Sequence, residues 1–365
     1  MRGLSSLRSS AGMSWPQGPL DFPIACPLPL RDYPEIVMAH GAGGAMTLEL
    51  IEKMILPVLT NDALAENHDG AVMDFRAKRL AFTTDSYVIH PLEFPGGNIG
   101  RLAVCGTVND LAMCGARPQH LSLGLIIEEG LPTPTLWRII QSIGQTCRAA
   151  QVQVVTGDTK VVDRGKGDGL FINMSGVGAV VSSRPISPKR IKVGDAVLLS
   201  GDIGRHGIAV LSAREGIGFE TAVSTDCAPL HNIALALLEA GLDIHCMRDL
   251  TRGGLASALV ELTMASGNGI DICEAAIPVS NGVRGACELL GLDPLYIANE
   301  GRFAIILPAA QASSALEILR RFPAAQQSCQ IGEVVKRDGG LILETIVGSR
   351  RQLDLLSAEH LPRIC

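Results

Sequence analysis

Apolar and polar positions along the chain follow two periods in turn, and the switches between them mark its elements. Leu48, Ile51, Ile55 and Leu59 recur at helical spacing behind a glycine-rich turn, His40-Gly41-Ala42-Gly43-Gly44, which predicts an amphipathic helix. Residues 79–89 are alternating and β-branched, a strand interrupted at its most polar point by Thr83-Thr84-Asp85-Ser86. After the turn Pro95-Gly96-Gly97-Asn98, residues 99–114 read as a buried helix with one awkward polar pair, Asn109-Asp110. Strands are predicted over 121–127, 152–156 and 171–181, with a helix over 135–150; the second strand runs into a turn, Gly157-Asp158-Thr159-Lys160.

Pro185, Pro188 and the basic residues around them change the pattern at 184–193 and predict a domain boundary. A second series follows, with strands over 196–199, 245–248, 270–273, 303–307 and 330–335. Helices are predicted over 208–214, 230–239, 255–265, 285–290 and 310–322. Both halves mix helix and strand, so the fold class is α+β (mixed α/β) with two domains. The expected division is an arm over 1–34, domains over 35–183 and 184–347, and a tail over 348–365. The arm carries Pro16, Pro19, Pro23, Pro27, Pro29 and Pro34 and has no apolar core of a signal peptide, so it reads as weakly ordered. The apolar-poor stretch 348–352 and Pro362 read as a tether.

Composition narrows the class. Of 365 residues, 47% are hydrophobic and 19% charged, enough for a buried core and too apolar for a disordered chain. A net charge of −6, with no basic stripe among aromatics, argues against nucleic acid as a partner. No run approaches the roughly 18 apolar residues of a membrane span, so no membrane partner is expected. The ten cysteines form no C-x-x-C pair, which argues against structural zinc and fits a reducing, cytoplasmic setting.

The informative side chains are carboxylates in costly places. Asp69, Asp85, Asp110, Asp158 and Asp249 sit at strand ends or within apolar segments, beside Gly, Thr or Asn. Any one of them could be a helix cap or an Asx turn. Together, without a matching cationic series, they point to a hard cation such as Mg²⁺, which usually brings substrate phosphates with it. Glycine turns at 40–44, 95–100 and 252–254 offer N–H groups near helix starts, where anions are favoured. Neither a P-loop nor a Rossmann fingerprint is present, so a nucleotide would need a different architecture. Lys160 and Glu300 are the remaining reactive candidates, each equally readable as a surface ion-pair partner.

The strings Thr83-Thr84-Asp85-Ser86-Tyr87, Phe94-Pro95-Gly96-Gly97-Asn98-Ile99-Gly100, Gly106-Thr107-Val108-Asn109-Asp110-Leu111, Ile127-Glu128-Glu129-Gly130, Gly157-Asp158-Thr159-Lys160-Val161-Val162, Asp249-Leu250-Thr251-Arg252-Gly253-Gly254 and Asn299-Glu300-Gly301 occur in this order. The chain then ends Pro362-Arg363-Ile364-Cys365. From about His40 to Cys365 this set closely resembles the HypE family, the carbamoyl dehydratases of nickel–iron hydrogenase maturation. It departs at Glu93, at Ala45 and in the 34-residue arm, none of which touches the acidic set.

The resemblance implies a two-domain aminoimidazole ribonucleotide synthetase-like fold, a homodimer and an ATP site with Mg²⁺. It implies that Cys365 carries a carbamoyl group that ATP helps dehydrate from S-carboxamide to S-cyanate, with Glu300 as the preferred base and Lys160 assisting. Asp69, Asp85, Asp110, Asp158 and Asp249 are the implied metal ligands. Those aspartates with Gly97, Asn109, Gly157 and Thr159 are the implied cofactor-binding set. HypF as carbamoyl donor and a HypC–HypD iron scaffold as cyanide acceptor are the implied partners. Two rivals remain: a sibling ATP enzyme such as selenophosphate synthetase, whose reactive residue lies near the N-terminus, and a non-catalytic nucleotide-binding scaffold.

Overall fold

The computed structural model describes residues 33–42, 44–65, 70–75, 77–215 and 223–355. Asp69, Cys365 and most of the expected arm lie outside them.

The first helical segment is α1 (Ala45–Leu50) and α2 (Leu56–Leu59), joined by a π-turn over Ile51–Ile55, with α3 (Asp62–Ala65) behind. Pro57 enters the first turn of α2, where its missing N–H removes a helical bond and the wider turn accommodates the break. The wider turn also shifts the buried stripe. Leu50, Met54, Ile55 and Leu59 face the core, and Leu48 is exposed, contrary to the simple helical spacing.

The first sheet runs in the order β1 (Leu80–Tyr87), β6 (Leu170–Val180), β4 (Ala116–Glu128), β5 (Gln153–Val162). The hairpin strands β2 (Glu93–Phe94) and β3 (Gly97–Asn98) stand apart from it. β4 and β5 are parallel and the other pairs antiparallel. The α5 helix (Thr133–Ala150) supplies the crossover that parallel neighbours require. β5 continues through Gly157-Asp158-Thr159-Lys160 without a break, so the predicted turn there is strand.

Both α4 (Ile99–Met113) and α5 cover one face of this sheet. In α4 every residue except Asp110 is buried. An all-round apolar helix is a core helix, and α4 lies between the first sheet and the second half of the chain.

That half holds a seven-stranded sheet in the order β13-β12-β9-β11-β7-β10-β8. Its strands are β7 (Asp195–Leu199), β8 (Cys246–Asp249), β9 (Asn268–Cys273), β10 (Phe303–Pro308), β11 (Cys329–Asp338), β12 (Leu341–Glu344) and β13 (Arg350–Leu353). The helices α6 (Arg205–Glu215), α7 (His231–Glu239), α8 (Gly254–Ser266), α9 (Asn281–Leu290) and α10 (Ala312–Leu319) accompany them. One core joins Leu255 and Leu259 of α8 to Ile270 and Leu341, and another joins Ala234 and Leu237 of α7 to Phe303 and Leu319. β12 and β13 correct the tether reading. Arg350–Leu353 pairs with β12, and Leu353 is buried.

Candidate active site

Three elements converge where α4 meets the second sheet. Strand alternation turns Thr83 and Asp85 of β1 toward α4, as their neighbours Ala81 and Tyr87 are buried on that face. Thr83 Oγ1 donates to Asp110 Oδ2 at 2.7 Å. Asp249 ends β8 opposite Phe303 of β10, and Glu300 precedes that strand. The carboxyls sense one another. Burial pushes Asp110 up, the Thr83 hydroxyl pulls it back, and Asp85 raises it further against Arg248 and Arg252. Burial and then the Asp110 charge push Asp249 up to about 6, with Asp85 contributing. Burial, then Cys227, Asp249, Asp226 and Asp85, hold Glu300 well above the usual carboxylate range. Burial, then Asp110 and Asp249, also push up the Cys114 thiol at the end of α4.

Glu300 is 4% exposed, and its backbone is held from two sides. Asp226 accepts from the N–H groups of Glu300 (3.3 Å) and Gly301 (3.1 Å). A Cβ on Gly301 would stand 1.9 Å from the Asp226 carbonyl oxygen, so this approach needs glycine. From α4, Asn109 Nδ2 donates to the carbonyls of Glu300 (3.2 Å) and Ala228 (3.1 Å), while Oδ1 accepts from Leu230 N (2.7 Å). The Asn109 amide thus bonds backbone on both of its atoms and positions the Glu300 segment. Gly97 is likewise engaged. It packs against Phe94 and Thr225, and Thr225 N donates to Pro95 O at 2.9 Å, so this turn joins the two halves of the chain.

Asp158 and Lys160 go elsewhere. Asp85, Met174, Leu123 and Gly157 form one row across the first sheet; Ser86, Asn173, Gly124 and Asp158 form the next. Met174 and Leu123 are buried, so the first row faces the core and the second faces away. Asp85 and Asp158 therefore lie on opposite faces and on opposite edge strands, three strand spacings or roughly 14 Å apart. Lys160 Nζ donates to Asp158 Oδ1 at 2.7 Å, and with the Thr159 N–H it holds the Asp158 carboxyl below its ordinary value. Gly157 is demanded by β4, whose Leu123 carbonyl oxygen would lie 2.5 Å from a Cβ. Gly157, Asp158, buried Thr159 and Lys160 line a cleft of about 200 Å³ together with Leu56 and Leu59 of α2 and Gly41.

Among the described residues no group of three or more His, Cys, Asp or Glu is close enough to hold a metal ion. The five-aspartate cluster therefore does not assemble within the described part of one chain. Asp85, Asp110 and Asp249 lie near enough to repel one another, though not as a closed group of three ligands within the described residues. Sequence reasoning did not single out Thr83, Asp226, Arg248 or Cys114. Only Thr83 and Arg248 carry a local signal, as polar residues beside the motifs they serve; Asp226 lies 74 positions from the Glu300 it holds.

Residues 67–180 match the N-terminal domain of the AIR synthase related proteins, and residues 192–344 match their C-terminal domain. The fold is that of this class. A thiamine-monophosphate kinase from Stenotrophomonas maltophilia shares the fold at a TM-score of 0.62 and 20% identity. Closer relatives include the carbamoyl dehydratase HypE of Azotobacter vinelandii, 48% identical over 90% of this chain and 97% of its own length, and that of Escherichia coli, 45% identical over 90% and 99%. The structure of a hydrogenase maturation protein HypE in complex with ATP covers 90% of this chain and 99% of its own, at 44% identity and a TM-score of 0.88. A HypE–HypF complex matches at 42% identity and a TM-score of 0.74, over 86% and 100%. This chain belongs to the HypE family of carbamoyl dehydratases in hydrogenase maturation.

Proposed function

We propose that the chain uses ATP to dehydrate an S-carboxamide on Cys365 to an S-cyanate, supplying cyanide ligands for the iron of a nickel–iron hydrogenase. The observation that carries this reading is Glu300, a buried carboxyl of raised proton affinity beside the converging Asp85, Asp110 and Asp249. Kinship with proteins named carbamoyl dehydratase HypE, and with a HypE structure containing ATP, supports it.

The overall change is R–S–C(=O)NH₂ + ATP → R–S–C≡N + ADP + phosphate, with two N–H protons lost. Oxide is a hopeless leaving group, and transfer of the γ-phosphoryl group to the carboxamide oxygen converts it to phosphate. The C–O bond then breaks as the nitrogen lone pair closes the nitrile. Glu300 in its ionised form accepts one N–H proton at that stage, since a desolvated carboxylate is a stronger base than one in water, and the departing phosphate carries away the other. Its backbone tethers to Asp226 and Asn109 fix the carboxyl where the acidic centre opens. Mg²⁺, if held by one or two carboxylates of this centre such as Asp85 and Asp110, would neutralise charge on the transferring group.

Asp158 and Lys160 fit this scheme through a homodimer. Their face of the first sheet is covered by no other described element and exposes Phe82 (66%) and Ile126 beside Thr84, Asn173 and the Asp158–Lys160 pair. A second copy packed on it would bury that mixed face and bring Asp158 and Lys160 to a site shared by both chains. A complex of a relative with HypF supports HypF as the carbamoyl donor. A HypC–HypD scaffold as cyanide acceptor, and a cytoplasmic setting, complete the reading.

Intact mass tests it. After carbamoylation in the presence of HypF, addition of Mg-ATP should remove the mass of one water from the carbamoylated chain. Cys365→Ala should never gain the carbamoyl group while still binding Mg-ATP. Dehydration in the Cys365→Ala protein, or a mass change mapped to another residue, overturns the reading.

A further inference from the structure

We propose that a cavity at the join between the two halves of the chain binds a phosphorylated small molecule, held by Arg184 and Gln311 across a frame set by Arg190 and Asp243. The cavity has a volume of about 440 Å³ and is walled by Ser182, Ser183 and Arg184 on one side and Arg190, Asp243 and Gln311 on the other. Pockets for small ligands start near 300 Å³, so it holds more than a bare ion.

Its charge balance favours an anion. Two guanidiniums face the single carboxylate of the lining. Arg184 Nη1 donates to Asp243 Oδ2 at 2.7 Å, and Arg190 Nη2 to Oδ1 at 2.6 Å. These bonds hold the Asp243 carboxyl down at about 2, so it stays ionised and anchors both. Arg190 is fully employed, since Nη1 also donates to the carbonyls of Pro185 (2.8 Å) and Ile244 (2.9 Å). Arg184 makes only the Asp243 bond among the described residues, and its side chain is 66% exposed, which leaves most of its fork for a ligand. Gln311 accepts the Asp243 N–H at 2.8 Å through Oε1, and its Nε2 has no protein partner among the described residues. Arg79 adds a third guanidinium behind the wall, on the Ser182 carbonyl oxygen. Such a surplus of donors suits a three-oxygen phosphoryl group better than a carboxylate.

The cavity adjoins both elements that carry the acidic centre. Val181 N (3.0 Å) and Ser182 N (3.3 Å) donate to Gly115 O, just past the end of α4. Asp243 lies three residues before β8, which ends in Asp249. A ligand bridging Arg184 and Gln311 would brace α4 against β8. Binding there does not depend on the proposed reaction, so the two readings can fail separately.

The test is calorimetric titration of the full-length protein with inorganic phosphate and with AMP, in Mg²⁺ and a saturating non-hydrolysable ATP analogue that occupies the nucleotide site. Both probes should bind at one further site. Arg184→Ala should weaken them at least ~10-fold, and Gln311→Glu, which adds a second carboxylate to the cavity, should abolish binding. Arg184 is exposed and Gln311 is half-buried just before α10, so unchanged thermal melting is the control that both variants fold. Absence of phosphate and AMP binding beside the analogue, or equal affinity in both variants, overturns the proposal.

Discussion

Asn109 Nδ2 donates to the Glu300 carbonyl oxygen at 3.2 Å, which ties the helix presenting Asp110 directly to the segment presenting Glu300. The bond joins residues 191 positions apart and is buried, so it ties the two acid-bearing elements together. Asn109→Ala would leave the Ala228 carbonyl and the Leu230 N–H without their partner, while the Glu300 carbonyl would keep the Ala228 N–H at 3.4 Å. Leaving buried groups unpaired costs about 1–3 kcal/mol each, and urea unfolding should register a loss of at least that size. Unchanged stability would mean that the two halves are held together elsewhere.

The raised Asp249 carboxyl has a signed consequence for stability. Its folded value of about 6 lies above the ordinary 3.8 of an aspartate, so the folded protein favours the protonated form. The stabilisation relative to the charged form is complete below about pH 4 and is lost as pH rises through 6. Asp249→Asn should therefore match the parent near pH 4 and exceed it at pH 7.5, by at most roughly 3 kcal/mol before solvent screening. Thermal melting of both proteins across that range checks the sign. A gap that shrinks with rising pH would contradict the repulsion described for the acidic centre.

Glu300→Gln separates chemistry from packing. The buried carboxyl favours its neutral form, and the amide is nearly isosteric with it, so folding and Mg-ATP binding should persist. Carbamoylation of Cys365 should also persist, but loss of water should slow at least ~10²-fold, the lower range of general-base catalysis. Single-turnover mass spectrometry follows the step. Dehydration at the parent rate would transfer the role of base to Lys160.

Asp85 and Asp158 lie on opposite faces of the first sheet, so the proposed dimer makes their defects complementary. Asp85→Asn and Asp158→Asn should each be inactive alone. Mixed and allowed to exchange subunits, they should recover about a quarter of the parent activity, because half the dimers are heterodimers and each holds one intact site. No recovery, with subunit exchange confirmed by native mass spectrometry, would place Asp158 outside a shared site.

Local pattern was sufficient for most elements because their signals are local. The buried helix over 99–114 is apolar on all sides, and the strands over 170–180 and 303–308 alternate or run apolar without competing signals. The odd pair Asn109-Asp110 also announced itself, since polar groups inside an apolar helix need partners. β12 and β13 escaped because each is four residues long, β13 is rich in arginine, and β12 owes its place to parallel pairing with β9, far back in the chain.

Residue chemistry named the acidic set, but only tertiary structure could sort it. Asp85 and Asp158 look alike in sequence, each beside Gly or Thr in a β-like segment. Their separation comes from the pleat, because a side chain's face is decided by register with neighbouring strands and by which face α4 covers. Asn109 and Glu300, likewise, meet only because α4 is wedged between two sheets. Partners so distant are fixed by packing, and no local preference of either residue encodes them.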